Sequence, residues 1–302
     1  MNGILIIDKP PGITSHDVVS RVRRILKTKR VGHTGTLDPF ATGVMVILVG
    51  QATRLAQFLD KDAKEYEAIV RFGFETDTGD RTGQKRDGET VRHGDAVTRA
   101  EIEGVLSPFR GKIEQTPPMY SAKKIDGQKL YELARKGETV ERKPVTVTIN
   151  ELEVIDDLKA EDLELGTWDF RLKVNCSAGT YIRTLAEDIG RKIGIGAHLA
   201  ELHRTHAGKF SIDQSLTLEQ LAELEQPASA LIPMEQAVSH LQKIELTDER
   251  IAKTKNGLST RILDREFADG EAIQVLDSSE QLVAIGFFDK SENVVQPKVV
   301  LV

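Results

Sequence analysis

The sequence predicts an α+β protein built around a largely antiparallel mixed sheet, with a small β-rich module at its C-terminal end. Strand-like runs and amphipathic helical stripes both occur, but without the regular strand–helix alternation of a parallel sheet. After about residue 240 the pattern shifts to one short helix and three compact apolar runs. A chain of 302 residues also exceeds the usual size of one domain, so two are expected, 1–240 and 241–302.

Residues 3–8, GILIID, read as a first strand. Thr14 and Asp17 have capping-box spacing, and Val18, Val22, Ile25 and Leu26 then form an apolar stripe. Arg21, Arg24 and Lys27 fall on the opposite, wet face of that helix. A Gly-rich loop, VGHTGTLDPFATG (31–43), precedes VMVILVG (44–50), which is apolar enough for a strand buried on both faces. In KEYEAIVRFGF (64–74) the apolar residues alternate, placing Tyr66, Ala68, Val70, Phe72 and Phe74 on one face. ETDTGDRTG (75–83) is a turn-rich loop, and Thr98 with Glu101 caps a helix to about Leu106. Residues 115–143 carry Pro117-Pro118, several lysines and a short helix over 128–137. Strands are expected at 144–155, 167–176 and 206–212, with a helix over 180–193 that turns Ile182, Leu185, Ile189 and Ile193 inward. In the tail, a helix over 247–256 ended by Gly257 precedes strands at 271–277, 281–288 and 294–302.

Composition narrows the function classes. With 39% hydrophobic and 29% charged residues the chain is that of an ordinary globular protein with a real core. No stretch approaches the roughly 18 apolar residues of a membrane span, and the first residues lack the basic n-region of a signal peptide. The single cysteine, Cys176, excludes an internal disulfide and a cysteine-rich metal site, and the expected compartment is the cytoplasm. The net charge of −6 is unevenly spread. Residues 1–60 carry 8 basic and 4 acidic side chains, 110–143 carry 9 and 5, and 204–302 carry 10 and 16. The two basic segments make either a groove for nucleic acid or solvated helix faces; charge alone does not choose.

The densest chemical signal is Gly32-His33-Thr34-Gly35-Thr36-Leu37-Asp38-Pro39, continuing to Gly43. Glycines let such a loop turn sharply and approach a ligand, and a carboxylate there can act as nucleophile or base. Asp before Pro is equally ordinary turn chemistry. The segment GHTGTLDPFATGV resembles the catalytic-aspartate motif of the TruB family, the bacterial tRNA pseudouridine-55 synthases. IIDKPPGITSHDVV (6–19), KEYEA (64–68), TPPMYSAKKIDGQKLYELAR (116–135), CSAGTYIRTLAEDIG (176–190) and GAHLAELHRT (196–205) are similar to that family in the same order. The likeness spans about residues 3–210, and the tail resembles the PUA-type RNA-binding module that ends such chains.

The resemblance implies a pseudouridine-synthase fold and the isomerisation of uridine 55 in the T-loop of tRNA, with Asp38 as the catalytic carboxylate and no cofactor or metal. Arg183 would pair with Asp38, though a surface arginine on a helix is the plain alternative. Tyr66 would stack on the target base, worth roughly 1–3 kcal/mol, although core packing alone also explains it. Tyr181 and Leu202 match pocket positions, Lys9 and Pro10 match a supporting element, and His33 would fill the T-loop where the target nucleotide leaves. For phosphate contacts the candidates are Arg21, Arg24 and Lys27 on the helix, and Lys123, Lys124, Lys129, Arg135 and Lys136 in the 116–143 insertion. The family uses that insertion as a thumb that clamps RNA, and its charge predicts mobility before RNA binds. Expected partners are tRNA alone, with no membrane and no obligatory protein, and the chain is expected to be a monomer. Two further readings are a guide-dependent pseudouridine synthase subunit and a non-catalytic tRNA-binding chaperone. Asp38, Tyr66 and Arg183 speak against the second, and the intact insertion without long basic extensions speaks against the first.

Overall fold

Backbone alternation and capping place most elements where the residues predict them. The computed structural model describes residues 1–86, 97–121, 123–125, 127–158, 167–262 and 265–301. The side chains of Lys124 and Lys129 lie outside the described residues. In chain order come β1 (Gly3–Lys9), α1 (Ser15–Ile25), β2 (Val31–Thr34), β3 (Thr42–Val49), α2 (Ala56–Leu59), β4 (Lys64–Phe72), α3 (Arg99–Leu106) and β5 (Gly111–Gln115). The insertion holds β6 (Lys124–Ile125), β7 (Gln128–Lys129) and α4 (Leu130–Ala134). Then follow β8 (Val145–Leu158), β9 (Trp168–Cys176), α5 (Ile182–Ile193), β10 (Ala197–Ala207), β11 (Phe210–Ser211), α6 (Leu218–Glu223) and α7 (Met234–Ala237). The tail carries β12 (Gln242–Glu245), α8 (Asp248–Lys255), β13 (Thr260–Arg261), β14 (Ala272–Leu276), β15 (Leu282–Asp289) and β16 (Val294–Val300).

Among the described residues the main sheet has nine strands in the order β1-β3-β10-β4-β9-β8-β5, with β2 on β3 and β11 on β10. Its pairs are antiparallel except β3 with β10, where His203 faces Thr42 and Arg204 faces Gly43. That junction requires a glycine. Gly43 has φ +98°, and a β-carbon there would collide with the backbone of Arg204. The capping boxes at Thr14–Asp17 and Thr98–Glu101 both form, which starts α1 and α3 where expected.

Among the described residues, three of the four apolar clusters involve the main sheet. On one face of the sheet, Tyr66, Ala68, Val70 and Phe72 pack with Ile102 and Leu106 of α3 and Leu185 and Ile189 of α5. Val18, Val19 and Val22 of α1 cover Leu5, Ile7, Met45 and Ile47. The opposite sides of β1 and β3, Ile4, Ile6, Val44, Val46 and Leu48, pack with Leu276, Leu282, Ile285 and Val299 of a second, five-stranded sheet. Burial on both faces is why residues 44–49 are continuously apolar.

Two elements differ from expectation. The strand expected at 206–212 is instead the end of β10, which starts at Ala197 and lies in mid-sheet between β3 and β4, with β11 folded back on it, although residues 197–205 carry the helix formers Ala, Leu and Glu. Two neighbours' hydrogen bonds outweigh local propensity there. In the insertion, helix α4 is shorter than the expected 128–137, because Gln128 and Lys129 pair with Ile125 and Lys124. No helix among the described residues is long and apolar enough to cross a membrane.

Candidate active site

The site grows from the loop between β2 and β3, whose backbone polar groups must find partners away from any sheet. The Gly35 N–H donates to Asp60 Oδ1, 3.1 Å away. Arg204, 1% exposed, donates from Nη2 to the Gly35 carbonyl and from Nε to the Val44 carbonyl, at 2.9 and 2.7 Å. Ser15, on the first turn of α1, donates to Leu37 O and accepts from Leu37 N–H. Lys9, fully buried at the end of β1, donates to the carbonyls of Pro10, Pro39 and Ala41 at 3.0, 3.1 and 2.7 Å. Burial pulls the Lys9 ammonium down to about 8, while nearby Asp38 opposes the shift. Three buried polar side chains from three elements therefore fix the loop that carries Asp38.

Arg183, 5% exposed in the first turn of α5, meets that carboxylate with two nitrogens. Its Nε lies 2.9 Å from Asp38 Oδ2 and its Nη2 lies 3.2 Å from Oδ1. Such a bidentate pair fixes the orientation of the carboxylate as well as its charge. The guanidinium is itself clamped by the carbonyls of Thr78 and Tyr120, and Asp80 Oδ2 stands 3.6 Å from its Nη1. Asp80 accepts hydrogen bonds from Thr78 Oγ1 and from the Thr82 N–H and hydroxyl, so the 75–83 loop is wound around it. Burial raises Asp38 above the ordinary carboxylate value; Arg183 pulls it down, and Asp80 adds to the rise. The pull of Arg183 towards the ionised form is smaller than the effect of desolvation.

Asp38 opens into a cleft of about 300 Å³, the scale of a small-ligand pocket. Tyr66 forms part of its wall and remains in the core cluster, so the packing and binding readings of that residue are compatible. Leu202 and Tyr181 line it too. Tyr181 precedes α5 without a side-chain cap; Gln115 substitutes, accepting from the Tyr181 N–H and donating to its carbonyl. Lys64 and Arg204 supply two buried cations on the cleft wall, Lys64 held by the carbonyls of Asp60 and Asp62. Among the described residues no His, Cys, Asp and Glu side chains converge as a metal site.

Comparison with known proteins gives this arrangement a lineage. Residues 23–182 match the N-terminal domain of the TruB family pseudouridylate synthases, and residues 183–239 match the tRNA pseudouridylate synthase B C-terminal domain. The tRNA pseudouridine synthase B of Bacillus subtilis is 42% identical over 95% of this chain and 93% of its own length. That of Geobacillus thermodenitrificans is 47% identical over 87% and 86%. The chain belongs to the TruB family. It is accordingly a pseudouridine synthase, an isomerase. A solved H/ACA RNP bound to a substrate RNA containing 2′-deoxyuridine includes a chain of the same fold, 27% identical with a TM-score of 0.73, aligned over 99% of this chain and 85% of that one. An archaeal box H/ACA sRNP complex includes another, 28% identical with a TM-score of 0.70, aligned over 99% and 86%.

Within this TruB-family chain the residues singled out in the sequence divide. Asp38, Tyr66, Tyr181, Arg183 and Leu202 come together in the cleft. Lys9 lies behind the loop with its ammonium on the Pro10 carbonyl. His33 does not line the cleft; it sits in β2, half-buried, with an unpartnered Nδ1, and burial lowers its pKa. Arg21, Arg24, Lys27, Arg135 and Lys136 are exposed, and Lys123 is half-buried. Lys64, Asp80 and Arg204 are site residues that the sequence did not single out. Lys64 shares the alternating face of Tyr66, so parity alone could have found it. Arg204 lies two residues after Leu202, a signal visible only once 197–207 is read as a strand.

Proposed function

We propose that this chain isomerises uridine 55 in the T-loop of tRNA to pseudouridine, with Asp38 as the catalytic carboxylate and the target nucleotide flipped into the cleft. The observation that supports it most directly is the bidentate Asp38–Arg183 pair at a cleft walled by Tyr66, in a chain whose relatives are named tRNA pseudouridine synthase B. The reaction breaks the N1–C1′ bond and forms C5–C1′; carbon 5 loses its proton and N1 gains one, so electrons balance without a redox partner. A carboxylate fixed by two guanidinium bonds is positioned to attack the nucleotide or to take a proton from it.

A base stacked inside a folded loop cannot reach a carboxylate recessed in a cleft, so extrusion, at a few kcal/mol, precedes chemistry. Tyr66 offers the flipped base an aromatic face, and Leu202 and Tyr181 exclude water around it. In this reading His33, outside the cleft, fills the space in the RNA that the nucleotide leaves. Arg21, Arg24 and Lys27, together with Lys123, Lys124, Lys129, Arg135 and Lys136, supply phosphate contacts. Residues 241–302 form a PUA-type domain against the catalytic domain of residues 1–240, and tRNA alone is the partner.

The test is tritium release from an unmodified tRNA transcript labelled at uridine carbon 5, with no guide RNA added. Release from one site, mapped to the T-loop, is expected. Tight binding without release would reject the reading and favour a guide-dependent subunit or a chaperone.

A further inference from the structure

The root of the insertion contributes to the cleft a side chain with no partner inside the protein. Ser121 is 5% exposed and lines the cleft. Its hydroxyl is buried without a hydrogen-bond partner, and among the described residues it is the cleft-lining side chain in that condition. Other polar side chains of the cleft are committed. Arg183 serves Asp38, Thr78 and Tyr120. Lys64 serves two carbonyls, as does Arg204. Thr180 donates to the Ser177 carbonyl, and the Ser177 hydroxyl accepts from the Thr148 N–H.

Ser121 is also held in place. Its N–H donates to Met119 O at 3.0 Å, and its carbonyl accepts from the Tyr131 N–H at 3.1 Å. The preceding residue's carbonyl, on Tyr120, accepts from Arg183 at 2.6 Å. The hydroxyl is therefore fixed one residue from the clamp on the guanidinium that orients Asp38. A buried hydroxyl without a partner costs free energy in the empty protein, and a ligand supplying the partner recovers it. A flipped uridine has just surrendered the contacts of its stacked state. It presents carbonyl oxygens, an N–H and ribose hydroxyls with the chemistry to meet a serine.

We propose that the Ser121 hydroxyl hydrogen-bonds the target nucleotide in the cleft, so that the insertion reads the flipped uridine as well as the RNA backbone. The inference rests on the reading that uridine is flipped beside Asp38. The test is Ser121→Ala in the full chain, assayed on the tRNA transcript beside the unaltered protein. The expected result is an about tenfold fall in kcat/KM, the scale of one hydrogen bond, with thermal stability unchanged or raised, because no bond within the protein is removed. Affinities for a transcript with 2′-deoxyuridine at the target separate the partner atoms. A deficit that vanishes there assigns the ribose 2′-hydroxyl, and one that persists assigns the base or another sugar oxygen; either supports the proposal. Unchanged kcat/KM, or a fall accompanied by lower thermal stability, overturns it. An unaltered protein inactive on the transcript would instead remove the underlying reading.

Discussion

The loop carrying Asp38 and the insertion between β5 and β8 both border the cleft, and they are built on opposite principles. The loop's carbonyls and amides are taken up by Lys9, Ser15, Arg204 and Asp60, the first three of them buried. Among the described residues the insertion is tied to the rest of the protein at points such as the Tyr120 carbonyl, which accepts from Arg183, and much of its surface is charged and exposed. Groups that make and break bonds work best when the fold already holds them rigid, because reorganisation at the moment of reaction is avoided. Groups that grip a large RNA work best when they can adjust as it docks. On the proposed function, the difference between the two regions divides the labour between chemistry and grip.

The sharpest way to break that division is at its centre. Asp38→Asn is expected to lower turnover by at least about 10³-fold while tRNA affinity, measured by filter binding, stays within a few-fold. Comparable losses in both would mean the loop serves grip as much as chemistry. Next in size is the scaffold. Arg204→Met leaves the Gly35 and Val44 carbonyls without their donor, and urea unfolding should show roughly 2–4 kcal/mol less stability, with turnover falling in parallel. A stable variant of full activity would show that the loop holds itself.

A pH profile sharpens the comparison further. Burial places Asp38 above its ordinary 3.8, so its ionised form is present above the raised value and disappears as pH falls through it. The acid limb of kcat/KM should therefore lie on the alkaline side of 3.8, and RNA affinity over the same range should follow a different curve. The smallest effects belong to the exposed cations of the insertion. Arg135→Ala and Lys136→Ala should each weaken tRNA binding a few-fold and reduce the slope of log affinity against log salt by about 1 for every phosphate left unneutralised. Turnover at saturation should stay unchanged.

The tail invites the same question by a different route. Truncation after residue 240 would uncover Ile4, Val44 and Val46, which share a cluster with Leu276, Ile285 and Val299. Substitution of exposed Lys253 and Lys255 on α8 leaves that core closed, and a fall in tRNA affinity there is the outcome expected if the tail binds RNA.

Local rules determined much of this protein from sequence. Capping boxes started α1 and α3, and parity placed Tyr66 with Ala68, Val70 and Phe72. The similarity of separate motifs to one family singled out Asp38, Tyr66, Tyr181, Arg183 and Leu202 before any of them was seen together. Tertiary structure alone decided what long-range pairing controls. β10 became a strand because two neighbours offered hydrogen bonds that its helix-forming residues could not outweigh. That pairing carried Arg204 beneath the loop that bears Asp38, 169 residues from the Gly35 carbonyl it holds. It likewise took three dimensions to bring Asp80 and the Tyr120 carbonyl onto Arg183, and to leave the Ser121 hydroxyl buried without a partner. Spacing along the chain reports the partners of a turn or a strand face; a buried charge finds its partner through packing, which no local pattern encodes.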